Sequence, residues 1–318
     1  MKRKLVLIII MFVIVNSCKN GYIYFDPLSE GETIVVPDII IPEESENDPE
    51  QTGVACNSLS KSTFSGELID IIEIPDDLPE KYDLSFDMPP VRSQGNQGSC
   101  VAWATTYYLK SYQEKIQYGY DYASYEDVMS PAFVYNQIKQ NENCDSGSTI
   151  VDALEILKTY GSNSWKDFPY SDLYCSSLPS DDLKESAIRN KIAEYFVVGI
   201  PENNTDINYT LTNLIKTLVF QKNPIVISMD FKNLSFENQG DVYIANRYKE
   251  NPVDSGCGHA ILIVGYDNQL NAFKIINSWG TDWGNDGYCW VSYDFFLPTN
   301  NIDFQEGFSG AYIAYDEE

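Results

Sequence analysis

The sequence predicts a protein of the α+β class, because helical and strand patterns occupy different parts of the chain. Apolar residues recur every three or four positions from 100 to about 117, and a second helix-like run follows at 150–161. Near the C-terminus, residues 260–265 and 272–277 flank a short polar turn and have the pattern of two strands in an antiparallel hairpin.

The composition is that of a folded, acidic protein. The chain has 318 residues, of which 43% are hydrophobic and 14% aromatic, enough to fill the core of one large domain or two modest ones. Its net charge is −26, and its 21 basic residues form no dense run beyond the N-terminus, so we expect no nucleic acid partner. We interpret the acidity as a solvated surface.

The N-terminus has the pattern of a secretory signal. Residues 1–4 carry positive charge and precede an apolar run, 5–15, that is too short for a comfortable membrane span. Cys18 follows a small residue near the end of this run, in a pattern that resembles the lipobox of bacterial lipoproteins. We therefore predict a signal peptide over 1–17 and a lipid on Cys18, in an exported bacterial lipoprotein at a periplasm-facing membrane or the cell surface. The alternative is ordinary cleavage nearby, with Cys18 as an incidental thiol.

Residues 18–77 are predicted to be an acidic, flexible tether between the lipid and a folded domain over 78–318. This segment is rich in Glu, Asp, Pro, Gly and Ser, and its short Ile and Val runs lack helical period. An inhibitory propeptide is the alternative, but the segment contains no long amphipathic pattern, as a helical pro-domain would require.

Cys100 is the candidate nucleophile, because it falls in the first turn of a predicted helix, after Ser99 as N-cap. Unpaired N–H groups and the positive end of the helix dipole favour a thiolate there, so we expect its pKa to lie below the free value of about 8.5. The permissive loop 95–99 would bring this helix end close to a ligand or another backbone. The alternative is a buried cysteine that packs as a small hydrophobe.

Gln94 is the candidate oxyanion donor. Its neutral amide, with the backbone N–H of Cys100, could bind the oxyanion that forms when a thiolate attacks a carbonyl. Such a donor contributes about 3 to 4 kcal/mol in other hydrolases. Gln97 is closer to the cysteine in sequence and is the rival for this role.

His259 is the only histidine of the chain and therefore the one candidate general base with a pKa near neutrality. Counting back across the turn of the predicted hairpin places Asn277 near it. The amide oxygen of Asn277 could accept from one ring nitrogen and leave the other facing the thiol. Trp279 could cover that hydrogen bond from water. Asn277 as a mere turn residue is the alternative.

Three blocks of sequence resemble the papain-like cysteine peptidases and occur in the same order. The blocks are PVRSQG at 90–95 with GSC at 98–100, GHA at 258–260 with VGY at 264–266, and KIINSWGTDWGNDGY at 274–288. The resemblance assigns Cys100 as nucleophile, His259 as base and acid, Asn277 as orienter and Gln94 as oxyanion donor.

The resemblance also implies a papain-like, two-lobed fold. A helical lobe at about 96–195 would carry the nucleophile helix. A β-rich, barrel-like lobe, at about 196–318 plus 78–95, would carry the histidine and the asparagine. The active site would lie in the cleft between the two lobes.

The chain departs from the family pattern around the nucleophile. Family members usually have a cysteine three residues before it, where this chain has Gln97, so the disulfide that tethers this loop in the family is absent. The family's substrate-binding Cys-Asn-Gly-Gly stretch corresponds to 144–147. Ser146 and Gly147 are therefore candidate substrate-binding residues, together with Gly258 beside the histidine.

Seven cysteines are present, and an exported chain can keep disulfides. We predict the pairs Cys144 with Cys175 and Cys257 with Cys289. Cys56, in the tether, is left without a role.

These features predict an exported, membrane-anchored thiol peptidase that hydrolyses peptide bonds through an acyl-enzyme on Cys100. Its partners would be a protein or peptide substrate and, through the lipid, a membrane, and we expect a monomer. With one histidine and no Cys-x-x-Cys pair, we expect no metal and no cofactor. Two alternatives are open: a catalytically silent binding or adhesion module on the same scaffold, and an enzyme that transfers the acyl group to an amine.

Overall fold

The computed structural model describes residues 66–200, 204, 206, 210–229, 234–239, 242–248, 258–296 and 308–317. The predicted signal peptide, Cys18 and Cys56 lie outside these residues. The α-helices are α1 Cys100–Ala102, α2 Ser111–Tyr118, α3 Pro131–Ile138, α4 Ile150–Thr159, α5 Asp181–Ala187 and α6 Leu211–Phe220. The strands are β1 Lys81–Asp83, β2 Ile192–Val197, β3 Ile225–Met229, β4 Leu234–Gln239, β5 Val242–Tyr248, β6 His259–Asp267, β7 Ala272–Ile276, β8 Tyr288–Ser292 and β9 Phe308–Asp316.

The central helix consists of α1, a π-helical segment at Trp103–Lys110, and α2. All eight residues of the π-helical segment are buried. The wider π-helical turn changes the phase of the side chains relative to the α-helix that the sequence predicts. The π-helical segment and α1 lie inside the molecule, where both pack against β6.

Side-chain caps begin α3, α4 and α6. Ser130, Thr149 and Thr210 each accept a hydrogen bond from the backbone N–H three residues later. Ser99 occupies the cap position of the central helix, but its hydroxyl makes no capping hydrogen bond. The predicted cap position is confirmed, but the hydroxyl of Ser99 is bonded to Tyr170 and not to the helix.

The described strands form one sheet in the order β2-β9-β3-β6-β7-β8-β5-β4, with β1 paired to β6. All pairs are antiparallel except β5 with β8. Strands β6 and β7 are the predicted hairpin, with Ile263 opposite Ile275. The path ends at β2 and β4, so the sheet in the described residues is open where a barrel-like lobe was expected.

The expected boundary between a helical and a β-rich part, at residue 195, falls inside a strand. β2 begins at Ile192 and pairs along its length with the last strand, β9. The side chains of Ile192, Tyr195 and Val197 are buried. The chain thus enters the sheet close to the predicted boundary.

Residues 66–77, expected to belong to a flexible tether, pack on the folded domain. Leu68 pairs with Val197 of β2, where Ile69 N donates to Val197 O at 2.9 Å and Val197 N donates to Glu67 O at 2.8 Å. Ile69 is only 5% exposed. The tether prediction is wrong for this segment, because an edge strand offers unpaired backbone groups that an adjacent extended segment can satisfy.

The central strands of the sheet are apolar on both faces. All five residues of β3 and the first eight of β6 are buried, as in a strand covered from both sides. Both α6 and the central helix contact β6. In the part of the chain that the structure describes, no helix has the length and apolar character needed to cross a membrane.

Candidate active site

The central helix and β6 bring Cys100 next to His259. Cys100 is the first residue of α1, and its Sγ accepts a hydrogen bond from the backbone N–H of Ala260 at 3.4 Å. Ala260 directly follows His259 in β6. Cys100 and His259 are both fully buried. The thiol and the imidazole thus come from adjacent points on two packed elements.

His259 and Asn277 are joined across the hairpin. Nε2 of His259 lies 2.6 Å from Oδ1 of Asn277. The same oxygen accepts the backbone N–H of Ser278 at 2.7 Å, which holds it toward the ring. Because the acceptor is an oxygen, the neutral ring carries its hydrogen on Nε2, and Nδ1 is the basic nitrogen.

Trp279 packs on this pair. Its indole stacks on the imidazole of His259, with ring centroids 4.4 Å apart and planes 30° from parallel. Trp283 in turn meets Trp279 edge to face at 5.5 Å. His259 and Asn277 are fully buried, so their hydrogen bond lies out of contact with bulk water, where such bonds are stronger.

Burial makes the imidazolium of His259 unfavourable on its own. It lowers the pKa of His259 from the ordinary 6.5 to about 4, although the hydrogen bond to Asn277 acts in the opposite direction. A neutral thiol at Cys100 is therefore accompanied by a neutral imidazole near pH 7. A thiolate at Cys100 would stabilise the imidazolium, because a nearby opposite charge favours the charged form of each group.

The lowered pKa of His259 predicts a loss of stability in acid, best measured in a Cys100→Ala variant, where no thiolate can form. Below pH 6.5 the unfolded chain binds a proton at His259 that the folded protein does not bind until about pH 4. The free energy of unfolding should therefore fall between pH 6.5 and 4, by about 3 kcal/mol in total from this group. Urea unfolding at several pH values measures it.

The control for this prediction is the double variant Cys100→Ala/His259→Gln. It keeps every carboxylate that also titrates in this range, so subtracting its free energy of unfolding isolates the histidine. The difference between the two proteins should change by about 3 kcal/mol between pH 7 and pH 4. A difference that is the same at both pH values would show that burial does not depress the pKa of His259.

Gln94 is fixed beside Asn277 through Ser278. Gln94 N donates to Ser278 O at 2.8 Å, and Ser278 Oγ donates to Gln94 Oε1 at 2.6 Å. The amide is thereby oriented so that Nε2 donates to Gln97 O at 2.8 Å. Since an amide nitrogen carries two hydrogens, Nε2 can also donate to an oxyanion, as can the backbone N–H of Cys100 at the helix start.

Gln97, the rival oxyanion donor, is directed elsewhere. Its side chain is fully buried, and its Nε2 donates to Ser171 O at 3.0 Å. Both amide nitrogens thus donate to a backbone carbonyl, and Gln94 differs in being bonded through Ser278 to the segment that holds Asn277.

The loop that contains two candidate substrate-binding residues lies against the nucleophile loop. Gly98 N donates to Cys144 O at 2.8 Å. A Cβ at Gly98 would lie 2.6 Å from the carbonyl oxygens of Asp145 and Ser146, so only glycine fits there. The Ser146 hydroxyl is buried and accepts the N–H of Asn141 at 3.1 Å, which stabilises its own loop.

The two glycines predicted to bind substrate stay predictions. The carbonyl oxygen of Gly147 accepts the N–H of Gln140 at 3.1 Å. Gly258 is buried immediately before β6. Neither has a side chain whose direction could indicate a role.

One of the two predicted disulfides is formed. Cys144 and Cys175 are bonded, with Cα atoms 5.6 Å apart. Cys289 has a free, buried thiol that donates to Trp290 O at 3.3 Å, so the predicted pair of Cys257 with Cys289 is wrong. Its side chain packs in the sheet, and burial raises the pKa of Cys289 to about 12, which makes the thiol unreactive. Cys257 itself lies outside the described residues.

Three residues that support the site were not predicted. Ser278 orients Gln94, and its position directly after Asn277 could have indicated this. Tyr108 donates its hydroxyl to Asn277 O at 2.8 Å, so the central helix holds Asn277 directly. Tyr170 is bonded to Gln94 and Ser99. The chain has 23 tyrosines, and no local pattern distinguishes these two.

Comparison with known sequences assigns most of the chain to one protein family. The family model of the papain family cysteine proteases matches residues 78–302. A viral cathepsin of Adoxophyes honmai nucleopolyhedrovirus is 23% identical over 282 residues, which are 86% of this chain and 74% of the relative. The gamete and mating-type specific protein A of Dictyostelium discoideum is 31% identical over 202 residues, 63% of this chain but only 39% of the relative.

Solved structures share the fold. Xylellain, a cysteine protease from Xylella fastidiosa, has a TM-score of 0.58 at 25% identity and covers 86% of this chain and 100% of its own. The digestive procathepsin L2 of Tenebrio molitor has a TM-score of 0.58 at 20% identity and covers 84% of this chain and 80% of its own. Bromelain from Ananas comosus, solved with the E64 inhibitor, has a TM-score of 0.52 at 20% identity and covers 75% of this chain and 100% of its own. The predicted papain-like fold is confirmed.

Proposed function

Because the chain belongs to the papain family of cysteine proteases, we propose that it hydrolyses peptide bonds through Cys100, His259 and Asn277. The observation that carries the proposal is the geometry of these three residues. Sγ of Cys100 accepts a hydrogen bond at 3.4 Å from the backbone N–H of Ala260, the residue after His259. Nε2 of His259 lies 2.6 Å from Oδ1 of Asn277. This is the order of nucleophile, base and orienter that acyl transfer through a thiol requires.

The proposed reaction has two halves. The Cys100 thiolate attacks the carbonyl carbon of the peptide bond, and the oxyanion is bound by the N–H of Cys100 and by Nε2 of Gln94. The imidazolium of His259 gives its proton to the leaving amine, and a thioester on Cys100 results. His259 then takes a proton from water, whose oxygen attacks the thioester and releases the acid and the thiol.

The test of this function is the mass of the products. The reduced protein from Thr52 onward is incubated with an unfolded protein substrate in water enriched in ¹⁸O, with and without an added amine. We expect new peptides whose C-termini carry ¹⁸O and, even with amine present, few amide adducts. Adducts that replace the acids would instead assign the acyl-transferase function, and a folded protein that yields neither would contradict both.

The full burial of Cys100 favours one second candidate, a catalytically silent binding module on the same scaffold. A site that reacts must admit a substrate to the thiol, whereas a scaffold that only binds a partner need not. The joint presence of Gln94, His259 and Asn277 around Cys100 supports the peptidase over this alternative. Product formation decides between the two.

We propose further that the peptidase is an exported monomer, attached to a membrane by a lipid on Cys18. The proposal is supported by the signal pattern over 1–17 and by the lipobox-like position of Cys18. In a bacterial host fed an alkyne fatty acid, the full chain should incorporate the label and sediment with membranes. Cys18→Ser should abolish the label, and Cys56→Ser, the control, should keep it. Label retained in Cys18→Ser would contradict the anchor.

A further inference from the structure

Tyr170 lies behind the loop that would form the oxyanion site. Its hydroxyl donates to the carbonyl oxygen of Gln94 at 2.7 Å and lies 2.8 Å from Oγ of Ser99. A phenol has one hydrogen, and Gln94 O can only accept, so Ser99 is the donor in the second bond. One hydroxyl therefore connects two residues that stand at opposite ends of the 94–99 loop.

These two residues position the two oxyanion donors. Gln94 supplies the amide Nε2, and the peptide bond between Ser99 and Cys100 supplies the backbone N–H of Cys100. An oxyanion is bound well only when both donors lie about 3 Å from the position that the oxygen reaches in the transition state. A shift of a few tenths of an ångström in either part of the loop weakens that contact.

We propose that Tyr170 is a positioning residue of the oxyanion site, which sets the spacing between the amide of Gln94 and the N–H of Cys100. The inference rests on the proposed peptidase function and specifies which part of the reaction the residue serves. Tyr170 acts through its two partners and does not touch the substrate.

The residues after Tyr170 support the same loop. Gln97 Nε2 donates to Ser171 O at 3.0 Å. Gly95 has a φ of +58°, and a Cβ there would lie 2.2 Å from Oδ2 of Asp172. The segment 170–172 thus packs along the loop, and Cys175, a little further on, is tied by its disulfide to Cys144. Since Gln97 offers no sulfur for a disulfide from the loop itself, polar contacts from this segment hold it.

The ring of Tyr170 is fixed independently of its hydroxyl. It packs edge to face on Trp103, with centroids 5.1 Å apart, and lies 5.6 Å from the ring of Trp165. Burial holds the pKa of Tyr170 well above its ordinary value, so the hydroxyl keeps its hydrogen at neutral pH. Tyr170→Phe therefore removes the hydrogen bonds to Gln94 and Ser99, together with the contact of the hydroxyl with the Trp103 side chain, and retains the aromatic contacts.

The test compares a reaction that forms an oxyanion with one that does not. In the full reduced protein, Tyr170→Phe should lower kcat for a peptide substrate about tenfold and change KM less than about twofold. The affinity for a peptide aldehyde inhibitor, which forms an oxyanion on binding, should fall by a similar factor. Alkylation of Cys100 by iodoacetamide proceeds at a saturated carbon and forms no oxyanion. Its rate in Tyr170→Phe should therefore stay within about twofold of the wild-type rate across the pH range.

Two further variants make the outcome decisive. Tyr122→Phe is the matched control, because its buried hydroxyl lies near two carbonyl oxygens, at 3.0 Å from Asp87 O and 3.1 Å from Ser111 O, away from the site. Tyr122→Phe should leave the turnover, the affinity for the aldehyde and the alkylation rate unchanged. Ser99→Ala removes the same bridge from its other end and should reproduce the selective loss even if Tyr170→Phe folds poorly.

An equal loss of turnover and alkylation in Tyr170→Phe and Ser99→Ala would assign a merely structural role and overturn the proposal. So would unchanged turnover in both folded variants. A wild-type protein that neither cleaves peptides nor binds the aldehyde would instead contradict the peptidase function itself. The failure of the positioning role and the failure of the proposed function are therefore distinguishable.

Discussion

Replacing Cys100 with alanine is expected to lower kcat for peptide hydrolysis by at least about 10⁴-fold. The thioester forms on this sulfur, and the only other free thiol among the described residues, Cys289, is buried in β8 and is not bonded to any site residue. The change should leave the fold intact, because it removes one sulfur atom, whose hydrogen bond from Ala260 N is long, at 3.4 Å. Turnover of a peptide substrate, with the unfolding transition measured in parallel, checks it.

Cys289→Ala is the matched control for this variant. Both cysteines are fully or almost fully buried thiols whose sulfurs make weak hydrogen bonds to the backbone. Cys289→Ala should keep the wild-type kcat within about threefold, since its effect is limited to packing. Substantial turnover in Cys100→Ala would refute the assignment of the nucleophile.

Replacing His259 with glutamine is expected to lower kcat/KM by about 10³-fold or more, and to remove the bell-shaped pH profile of the wild type. In the wild type, kcat/KM should rise as the Cys100 thiolate forms and fall as His259 loses its proton. Burial, opposed by the hydrogen bond to Asn277, puts the pKa of His259 at about 4. A wild-type profile centred near neutrality would therefore report the stabilisation of the imidazolium by the thiolate. Profiles of kcat/KM from acid to alkaline pH measure both effects.

The double variant Cys100→Ala/His259→Gln tests whether the two residues act as one unit. It should be no slower than Cys100→Ala alone, because the histidine has no function without the sulfur. If the two substitutions lower the rate additively, or if the wild-type rate does not change with pH, Cys100 and His259 do not act as one unit.

The sequence predicted the parts of the site that follow from local pattern. The helical periodicity placed Cys100 at a helix start, and strand patterns around a short turn placed Asn277 near His259. Both depend on contacts close in sequence, where spacing determines geometry. The 2.6 Å contact between Nε2 and Oδ1 is the consequence of that hairpin.

Contacts between distant parts of the chain could not be predicted in this way. Tyr170 is 71 residues from Ser99 and 76 from Gln94, and Ser278 is 184 residues from Gln94. Which side chains meet over such distances depends on how the elements pack. Cys289 illustrates the same limit. The positions of the cysteines in the sequence suggested a disulfide, but the packing of its strand leaves the thiol free.

The central helix differs from its prediction for a related reason. Periodicity predicted a helix over 100 to about 117, but Trp103–Lys110 is π-helical and entirely buried. Even Lys110 is enclosed, and its ammonium pairs with the carboxylates of Glu114, at 2.6 Å, and Asp316. The last described strand thus supplies a counter-charge that allows a lysine inside the helix packing, a relation that no window of the sequence contains.

The most direct test of the account is covalent labelling of the reduced protein from Thr52 onward with an epoxide inactivator of thiol proteases, followed by intact-mass measurement and peptide mapping. Ring opening needs both a thiolate and a nearby proton donor, so it reports Cys100 and His259 together and requires that the buried site admit a ligand. We expect one adduct, mapped to Cys100, on the wild type and on Cys289→Ala, and none on Cys100→Ala. A folded wild-type protein that forms no adduct, or one labelled elsewhere, would contradict the proposal that Cys100 and His259 form a working catalytic site.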